Sequence, residues 1–222
     1  MALELTILYD NESLAPSLTP DWGFSALIVN GMQEKVLFDT GANGAILERN
    51  AIALGVNLGE VSHVVLSHWH WDHTGGLETV MHYAPRATYH VPPGVGGIPP
   101  HVDARMVGPK PVEIVNGVYS TGVLDRTEQG MVLLTGEGSF LVTGCAHPGV
   151  EPLLEAAATL ARPVGVLGGF HGFSRLEHLH GLSQIYPCHC TQRTGDILKK
   201  YPNTAATCGA GFRLELPVAS PR

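Results

Sequence analysis

The feature that most constrains this chain is a run of metal-binding side chains directly after a short buried segment. Residues 61–67 are apolar and rich in β-branched residues, which is typical of a buried strand. The next residues are His68-Trp69-His70-Trp71-Asp72-His73. Side chains alternate in an extended run, so His68 and His70 point the same way and can share one metal. The turn into the following helix then directs Asp72 and His73 towards a second metal beside the first.

Imidazole and carboxylate groups are the ligands that a borderline divalent metal prefers. As ordinary core residues, they would leave several buried polar groups in need of partners. Two metals need further ligands, and loops at strand ends are where functional residues collect in layered α/β folds. The histidines that follow a predicted strand and small residues are His147, His171 and His189. The remaining histidines are predicted to be structural: His63, His82, His90, His101, His178 and His180.

The order of strand and helix patterns predicts an α/β fold. Strands are predicted at 2–9, 24–29, 36–38, 61–67, 112–119, 131–135, 139–143, 163–167, 184–186, 204–208 and 212–216. Helices are predicted at 44–54, 75–83, 150–161, 174–180 and 192–200. Hairpins such as the Asn30-Gly31 turn, mixed with crossovers, indicate two mixed β-sheets flanked by helices. The proline-rich segment 92–111 is predicted to be irregular, and is either a plain surface loop or one that faces substrate.

Composition narrows the class of protein. The 222 residues are 44% hydrophobic, enough for a large core, and we expect one domain over residues 1–222. The net charge of −7 argues against a nucleic-acid partner. We expect no membrane association and a cytoplasmic location, because the sequence shows no secretory leader, no long apolar run and no disulfide framework. A monomer and a homodimer are both compatible with these data.

The run from His68 to His73 resembles the His-x-His-x-Asp-His signature of the metallo-β-lactamase superfamily. Phe38-Asp39-Thr40-Gly41 resembles the aspartate motif of that family at a strand end. The segments around His147, His171 and His189 resemble a narrower branch, which includes an archaeal dihydropterin synthase acting on a ribofuranosyl-aminobenzene phosphate. The resemblance extends from about Leu5 to Leu216 and implies an αββα sandwich with metals at one edge.

This resemblance also implies ligands for two divalent metal ions. The first site would be His68, His70 and His147, and the second Asp72, His73 and His189. Asp39 is expected to anchor the ligand loop without binding a metal. The family usually adds a bridging aspartate, which this chain lacks at the matching place, and His171 and Cys145 are the available substitutes. We expect Zn²⁺, with iron or manganese as alternatives.

Such a site would lower the pKa of bound water towards ~7, and the resulting hydroxide would attack a carbonyl carbon or a phosphorus atom. Asp72 would take up a proton. The implied protein is a hydrolase or a pterin-synthase-like enzyme acting on a small molecule, such as a phosphate-bearing pterin or an ester. Two alternatives stay open, a redox member of the superfamily and a non-catalytic metal-binding protein. The di-iron redox branch has a glutamate where this chain has His70, which argues against the redox member. The cysteines within two residues of a predicted ligand histidine are Cys145, Cys188 and Cys190. Each is a thiolate ligand, a residue that contacts the ligands, or a small apolar residue that packs under the site.

Overall fold

A computed structural model of the chain describes residues 2–94 and 98–218. In chain order its strands are β1 (Ala2–Tyr9), β2 (Ser25–Val29), β3 (Lys35–Phe38), β4 (His63–Val65), β5 (Thr88–Val91), β6 (Ala104–Met106), β7 (Val112–Val115), β8 (Val118–Ser120), β9 (Met131–Leu134), β10 (Ser139–Thr143), β11 (Pro163–Gly169), β12 (Gln184–Cys188) and β13 (Arg213–Pro217). Within these described ranges the helices are α1 (Gly44–Ala53), α2 (Trp71–Thr74), α3 (Leu77–Tyr83), α4 (Val150–Ala158) and α5 (Thr194–Lys200), with 3₁₀ turns at Leu58–Glu60 and Leu176–Leu179.

The strands form two mixed sheets, as the sequence predicts. The first has the order β13-β1-β2-β3-β4-β5-β6 and the second β12-β11-β10-β9-β8-β7. In the first sheet the β3–β4, β4–β5 and β5–β6 pairs are parallel. In the second sheet β10, β11 and β12 are parallel neighbours. The other strand pairs in both sheets are antiparallel. Strands that are parallel end at the same edge, which places the loops that follow them side by side.

Burial follows the alternation of side chains in each strand. Leu3, Leu5 and Ile7 of β1 face the second sheet and join the core between the sheets. A register shift between Ile7 and Tyr9 lets Leu8 and Tyr9 face the helices instead. The outer face of the first sheet packs against α1 and α3, and that of the second against α4 and α5. The αββα sandwich expected from the sequence is therefore confirmed.

Several predictions of secondary structure are wrong. The strand β5 was not predicted, and the helix predicted at 174–180 is only the 3₁₀ turn Leu176–Leu179. Residues 112–119 form the β7–β8 hairpin rather than one strand, because the chain turns at Asn116-Gly117, where Gly117 has a φ of 77°. The proline-rich segment contains the short strand β6, whose three exposed residues pair with β5 without any apolar alternation to reveal them. Residues 204–208 make only an isolated bridge from Ala205 to Ile185. Residues 95–97 of the proline-rich segment lie outside the described residues.

The helix predicted from residue 75 instead begins at Trp71 and is divided into α2 and α3. Glycine is required at the junction, because a Cβ on Gly75 would collide with the backbone of Ala42. This close approach holds α2 against the loop after β3, so Asp72 and His73 lie on a short rigid helix. In the described ranges, no helix is long and apolar enough to cross a lipid bilayer.

Candidate metal centre

The ends of β3, β4, β10 and β12 bring the predicted site residues to one edge of the sandwich. Asp39 directly follows β3, and His68 follows β4 by three residues. His147 lies in the loop after β10, and His189 is the first residue after β12. Non-glycine residues in these loops adopt left-handed backbone angles, with φ of 58° at Asp39 and 48° at His189. Such strain is typical of positions that the surrounding structure holds for a function.

His68, His70 and His147 form the first group of potential ligands. Their donor atoms lie within 4.8 Å of one another. The ring centroids are 4.5 Å apart for His68 and His70, 4.6 Å for His68 and His147, and 4.8 Å for His70 and His147. His68 is buried, whereas His70 and His147 are exposed. The group therefore opens to solvent on one side.

Asp72, His73 and His189 form the second group, and all are buried. Asp72 Oδ2 lies 3.8 Å from His73 Nε2 and 3.4 Å from His189 Nε2. Burial alone would raise the pKa of Asp72, but the close approach of the His189 ring and the charge of His73 hold that pKa well below its usual range. The two groups are adjacent, since the ring centroids of His68 and His73 are 4.2 Å apart.

Asp39 orients both groups. Its Oδ2 accepts from His73 Nδ1 at 2.7 Å and from the Ser67 hydroxyl at 2.7 Å, while Oδ1 accepts from the Ser67 amide at 2.6 Å. The Ser67 hydroxyl in turn lies 2.8 Å from His68 Nδ1. Burial by itself would lower the pKa of His73. The negative charge of Asp39 outweighs burial, and the pKa of His73 is raised above its usual value. Asp39 thus contacts His73 and Ser67 directly, and its role as an anchor of the ligand loop stays a prediction.

Glu128 is a site residue that the sequence did not reveal. It is fully buried in the loop before β9, and its Oε1 accepts from the amides of Cys145 and Ala146, both at 2.8 Å. Its Oε2 accepts from the His147 amide at 2.9 Å and from His147 Nδ1 at 2.8 Å. Burial would raise its pKa, but these hydrogen bonds and the charge of His68 lower it to about 2. No motif surrounds Glu128, so only the fold pairs it with His147.

Asn11 and Trp22 also contact the second group. Asn11 Oδ1 lies 3.0 Å from His189 Nδ1, and Trp22 Nε1 donates to Asp72 Oδ2 at 2.9 Å. Asp10 Oδ2 accepts from the His189 amide at 3.1 Å, and burial raises the pKa of Asp10 to about 6. Asp10 and Asn11 directly follow β1, so the strand-end criterion that singled out the later histidines applies to them equally.

The two substitutes for the bridging aspartate lie in different places. His171 is exposed, with its ring centroid 5.2 Å from that of His147. It belongs to none of the ligand groups found within the described ranges. Cys145 is buried, and its Sγ lies 3.2 Å from His73 Nε2. It shares one group with His68 and His73 and another with His189 and Cys190.

The donor atoms fit divalent cations. His68 Nε2 and His189 Nε2 are buried and lack a hydrogen-bond partner among the described residues, which is costly unless a ligand satisfies them. In His68, His73, His147 and His189, Nδ1 already contacts an oxygen acceptor, so Nε2 keeps its lone pair. Burial and the charge of His73 lower the pKa of His68 to about 2. Burial also lowers the pKa of His189. Neutral imidazole is the form that binds metal.

An αββα sandwich with clustered histidine and aspartate side chains at its edge defines a class of metal-binding proteins. The family profile described as the metallo-beta-lactamase superfamily matches residues 19–180, and the chain belongs to this superfamily. A relative is the 7,8-dihydropterin-6-methyl-4-(beta-D-ribofuranosyl)-aminobenzene-5'-phosphate synthase of Methanocaldococcus jannaschii. It is 24% identical, over 81% of this chain and 85% of that protein. The lactamase-like protein nscB of Aspergillus fumigatus is 33% identical over 55% of this chain and 37% of its own length.

Solved structures agree with this placement. Tm1679, described as a metal-dependent hydrolase of the beta-lactamase superfamily, has a TM-score of 0.77 and 26% identity, covering 97% of this chain and 99% of that one. Zn²⁺-bound PqqB from Methylobacterium extorquens has a TM-score of 0.65 and 15% identity, covering 96% of this chain and 100% of that one. The likeness to PqqB is one of fold.

Proposed function

We propose that this protein is a metal-dependent hydrolase acting on a small molecule, with two divalent cations held by the two ligand groups. His68, His70 and His147 would hold one cation, and Asp72, His73 and His189 the other. The observation that carries the proposal is the pair of buried, unpartnered Nε2 atoms of His68 and His189, one in each group, within the described residues. Zn²⁺ is the cation that a nitrogen and oxygen donor set of this kind suits best, with iron or manganese as alternatives.

Bound cations of this type lower the pKa of a coordinated water and polarise a carbonyl or phosphoryl oxygen. The chain itself contributes proton acceptance and orientation. Asp72 lies between the two histidines of the second group, with Oδ2 3.8 Å from His73 Nε2 and 3.4 Å from His189 Nε2, and its carboxylate would accept the proton of an attacking water. Trp22 Nε1 donates to Asp72 Oδ2 and fixes the direction of the carboxylate. His171, exposed beside His147, is placed to contact substrate at the entrance.

The substrate class follows from the surroundings of the site and from the relatives. A cleft of about 440 Å³ next to the first group is lined by His147, Phe170, His171, Phe173 and Arg175. Its aromatic side chains suit an aromatic small molecule, while Arg175 is paired at 2.6 Å with Glu151 in the same lining. We infer a phosphate-bearing pterin-type compound or an ester, with the Methanocaldococcus jannaschii synthase as support for the former. A synthase-like group transfer is the alternative reaction at the same site.

The expectations about partners and location stay predictions. The net charge of −7 supports a protein that does not bind nucleic acid. All four cysteines are free thiols, which suits the reducing cytoplasm. A monomer and a homodimer both stay open.

The test combines metal analysis with a substrate screen. Protein purified without added metal should contain between one and two equivalents of divalent metal by elemental analysis. It should hydrolyse at least one member of a panel of phosphoesters, lactones and β-lactams. Iron without any hydrolysis would favour the redox alternative, and metal without any turnover would favour a binding protein.

Asp72→Asn tests the proton-acceptor role. We expect at least a ~10²-fold loss of turnover, the lower end for general acid–base catalysis, with circular dichroism unchanged. The matched control is Asp125→Asn, in which an exposed aspartate in the loop before β9 loses its charge. Near wild-type turnover in Asp72→Asn would refute the proposed role.

A further inference from the structure

The space between the two ligand groups is occupied by sulfur rather than by a carboxylate. Cys145 Sγ lies 3.2 Å from His73 Nε2 and shares a group of donor atoms with His68. It also belongs to a group with His189 and Cys190, whose donor atoms all lie within 4.8 Å of one another. The Cys145 sulfur therefore neighbours one histidine of the first group and two of the second.

Packing does not account for this placement. Two of the four cysteines, Cys188 and Cys208, belong to the hydrophobic core between the sheets. Cys145 and Cys190 belong to none of the hydrophobic clusters found in residues 2–94 and 98–218. The Cys145 sulfur shares donor groups with His68, His73 and His189, and the Cys190 sulfur shares one with Cys145 and His189. A cysteine that only fills volume would face apolar side chains, as Cys208 does.

The local backbone is built to bring Cys190 to this position. Cys190 Sγ lies 3.3 Å from Cys145 Sγ. A Cβ on Gly169 would lie 2.3 Å from the Gly144 carbonyl oxygen and 2.8 Å from Cys190 Sγ, so glycine is required by the close backbone approach and also leaves room for the sulfur. Ala146 and His189, each adjacent to one of the cysteines, have positive φ angles of 56° and 48°. Strain of this kind persists where it serves a site.

The separations also suit ligation of a common cation. Two ligands of one tetrahedral zinc, at about 2.0 Å for nitrogen and 2.3 Å for sulfur, are about 3.5 Å apart. The observed separations are 3.2 Å from Cys145 Sγ to His73 Nε2 and 3.4 Å from Asp72 Oδ2 to His189 Nε2. Little rearrangement is therefore needed for these side chains to converge on one ion.

We propose that Cys145 and Cys190 are thiolate ligands of this centre, with the Cys145 sulfur in the bridging position for which the sequence offers no aspartate. The inference rests on the metal centre proposed above and defines its chemistry further. Soft thiolate ligands select thiophilic cations such as Zn²⁺, Co²⁺ and Cd²⁺ over Mn²⁺ and Mg²⁺, which prefer oxygen. Each thiol that binds releases its proton to solvent.

The experiment uses Co²⁺ as the probe. Reduced, metal-free wild-type protein is titrated with Co²⁺ without oxygen, and the near-ultraviolet sulfur-to-cobalt charge-transfer absorption is recorded. We expect this absorption in the wild type, a reduced intensity in Cys145→Ser and in Cys190→Ser, and none in the double variant. Cys208→Ser is the matched control, since its thiol lies in the core, and it should keep the full band.

A second measurement concerns selectivity. The ratio of Zn²⁺ to Mn²⁺ affinity should fall at least ~10-fold in the double variant, the lower end of the effect of altering groups around a metal. Wild-type protein that binds Co²⁺ without the charge-transfer band would overturn the assignment, and so would a double variant that keeps it. Wild-type protein that binds no Co²⁺ would overturn it together with the metal centre. The wild-type ¹¹³Cd resonance reports sulfur ligation independently, so the assignment stays testable if a variant fails to fold.

These outcomes separate the ligand assignment from the proposed function. A charge-transfer band in a protein that turns over no substrate would leave the thiolate ligands standing and remove the hydrolase. Turnover in a protein that shows no such band would support the hydrolase and remove the thiolate ligands.

Discussion

Glu128→Gln is the sharpest test of how this site is held together. The substitution keeps the size of the side chain but replaces one carboxylate oxygen with an NH₂ group. In the wild type all the hydrogen-bonding groups facing Glu128 are donors: the amides of Cys145, Ala146 and His147, and His147 Nδ1. Glutamine can satisfy two of them with its one oxygen, and its NH₂ group then faces the other two.

The consequence for His147 is a change of tautomer. Glu128 accepts from His147 Nδ1–H, so Nε2 carries a lone pair. An NH₂ group at the same place needs Nδ1 as its acceptor, which moves the ring proton to Nε2, the atom that would bind metal. Loss of such an orienting partner costs 10–100-fold in metal affinity, or about 1.4–2.7 kcal/mol. The His147 amide also loses its charged acceptor, which should lower the free energy of unfolding by about 1.5–3 kcal/mol.

Both quantities are measurable on metal-free protein. Zn²⁺ affinity is obtained by competition with a chromophoric chelator, and the free energy of unfolding by urea denaturation followed by circular dichroism. Glu137→Gln, at an exposed position in the turn between β9 and β10, is the control and should match the wild type in both. If Glu128→Gln binds Zn²⁺ as tightly as the wild type, the tautomer argument is wrong.

Two further predictions concern other contacts. Burial and the neighbouring His63 lower the pKa of His90 to about 4, so between pH 6.5 and about 4 the unfolded chain takes up a proton that the native state does not. As the pH falls over this range, the free energy of unfolding of the wild type should therefore drop by up to about 3 kcal/mol more than that of His90→Gln, measured by urea denaturation. Equal pH dependence in the two proteins would contradict this prediction. Trp22→Phe removes the donor to Asp72 Oδ2 and should weaken Zn²⁺ binding about tenfold in chelator competition, whereas unchanged affinity would refute the orienting role of Trp22.

Local patterns in the sequence predicted most of the architecture, because periodicity and turn residues act over a few positions. The 139–143 strand and the strand at 2–9 occur as predicted. The Asn116-Gly117 turn was missed although it carries the same signal as Asn30-Gly31, because the residues on both sides of it, from Val112 to Tyr119, are mostly strand-forming types. The strand β6 was missed because its three residues are exposed and show no alternation.

The sequence by itself determined where potential metal ligands are concentrated, since the run from His68 to His73 places four of them within six residues. It also determined the layered fold, through strand and helix periods. Only the tertiary structure decided which distant groups complete the site. Glu128 reaches His147, Asn11 reaches His189, and Cys145 reaches His73 across 19, 178 and 72 positions of the chain. Such pairings depend on how two sheets align their strand ends, and no local spacing encodes that alignment.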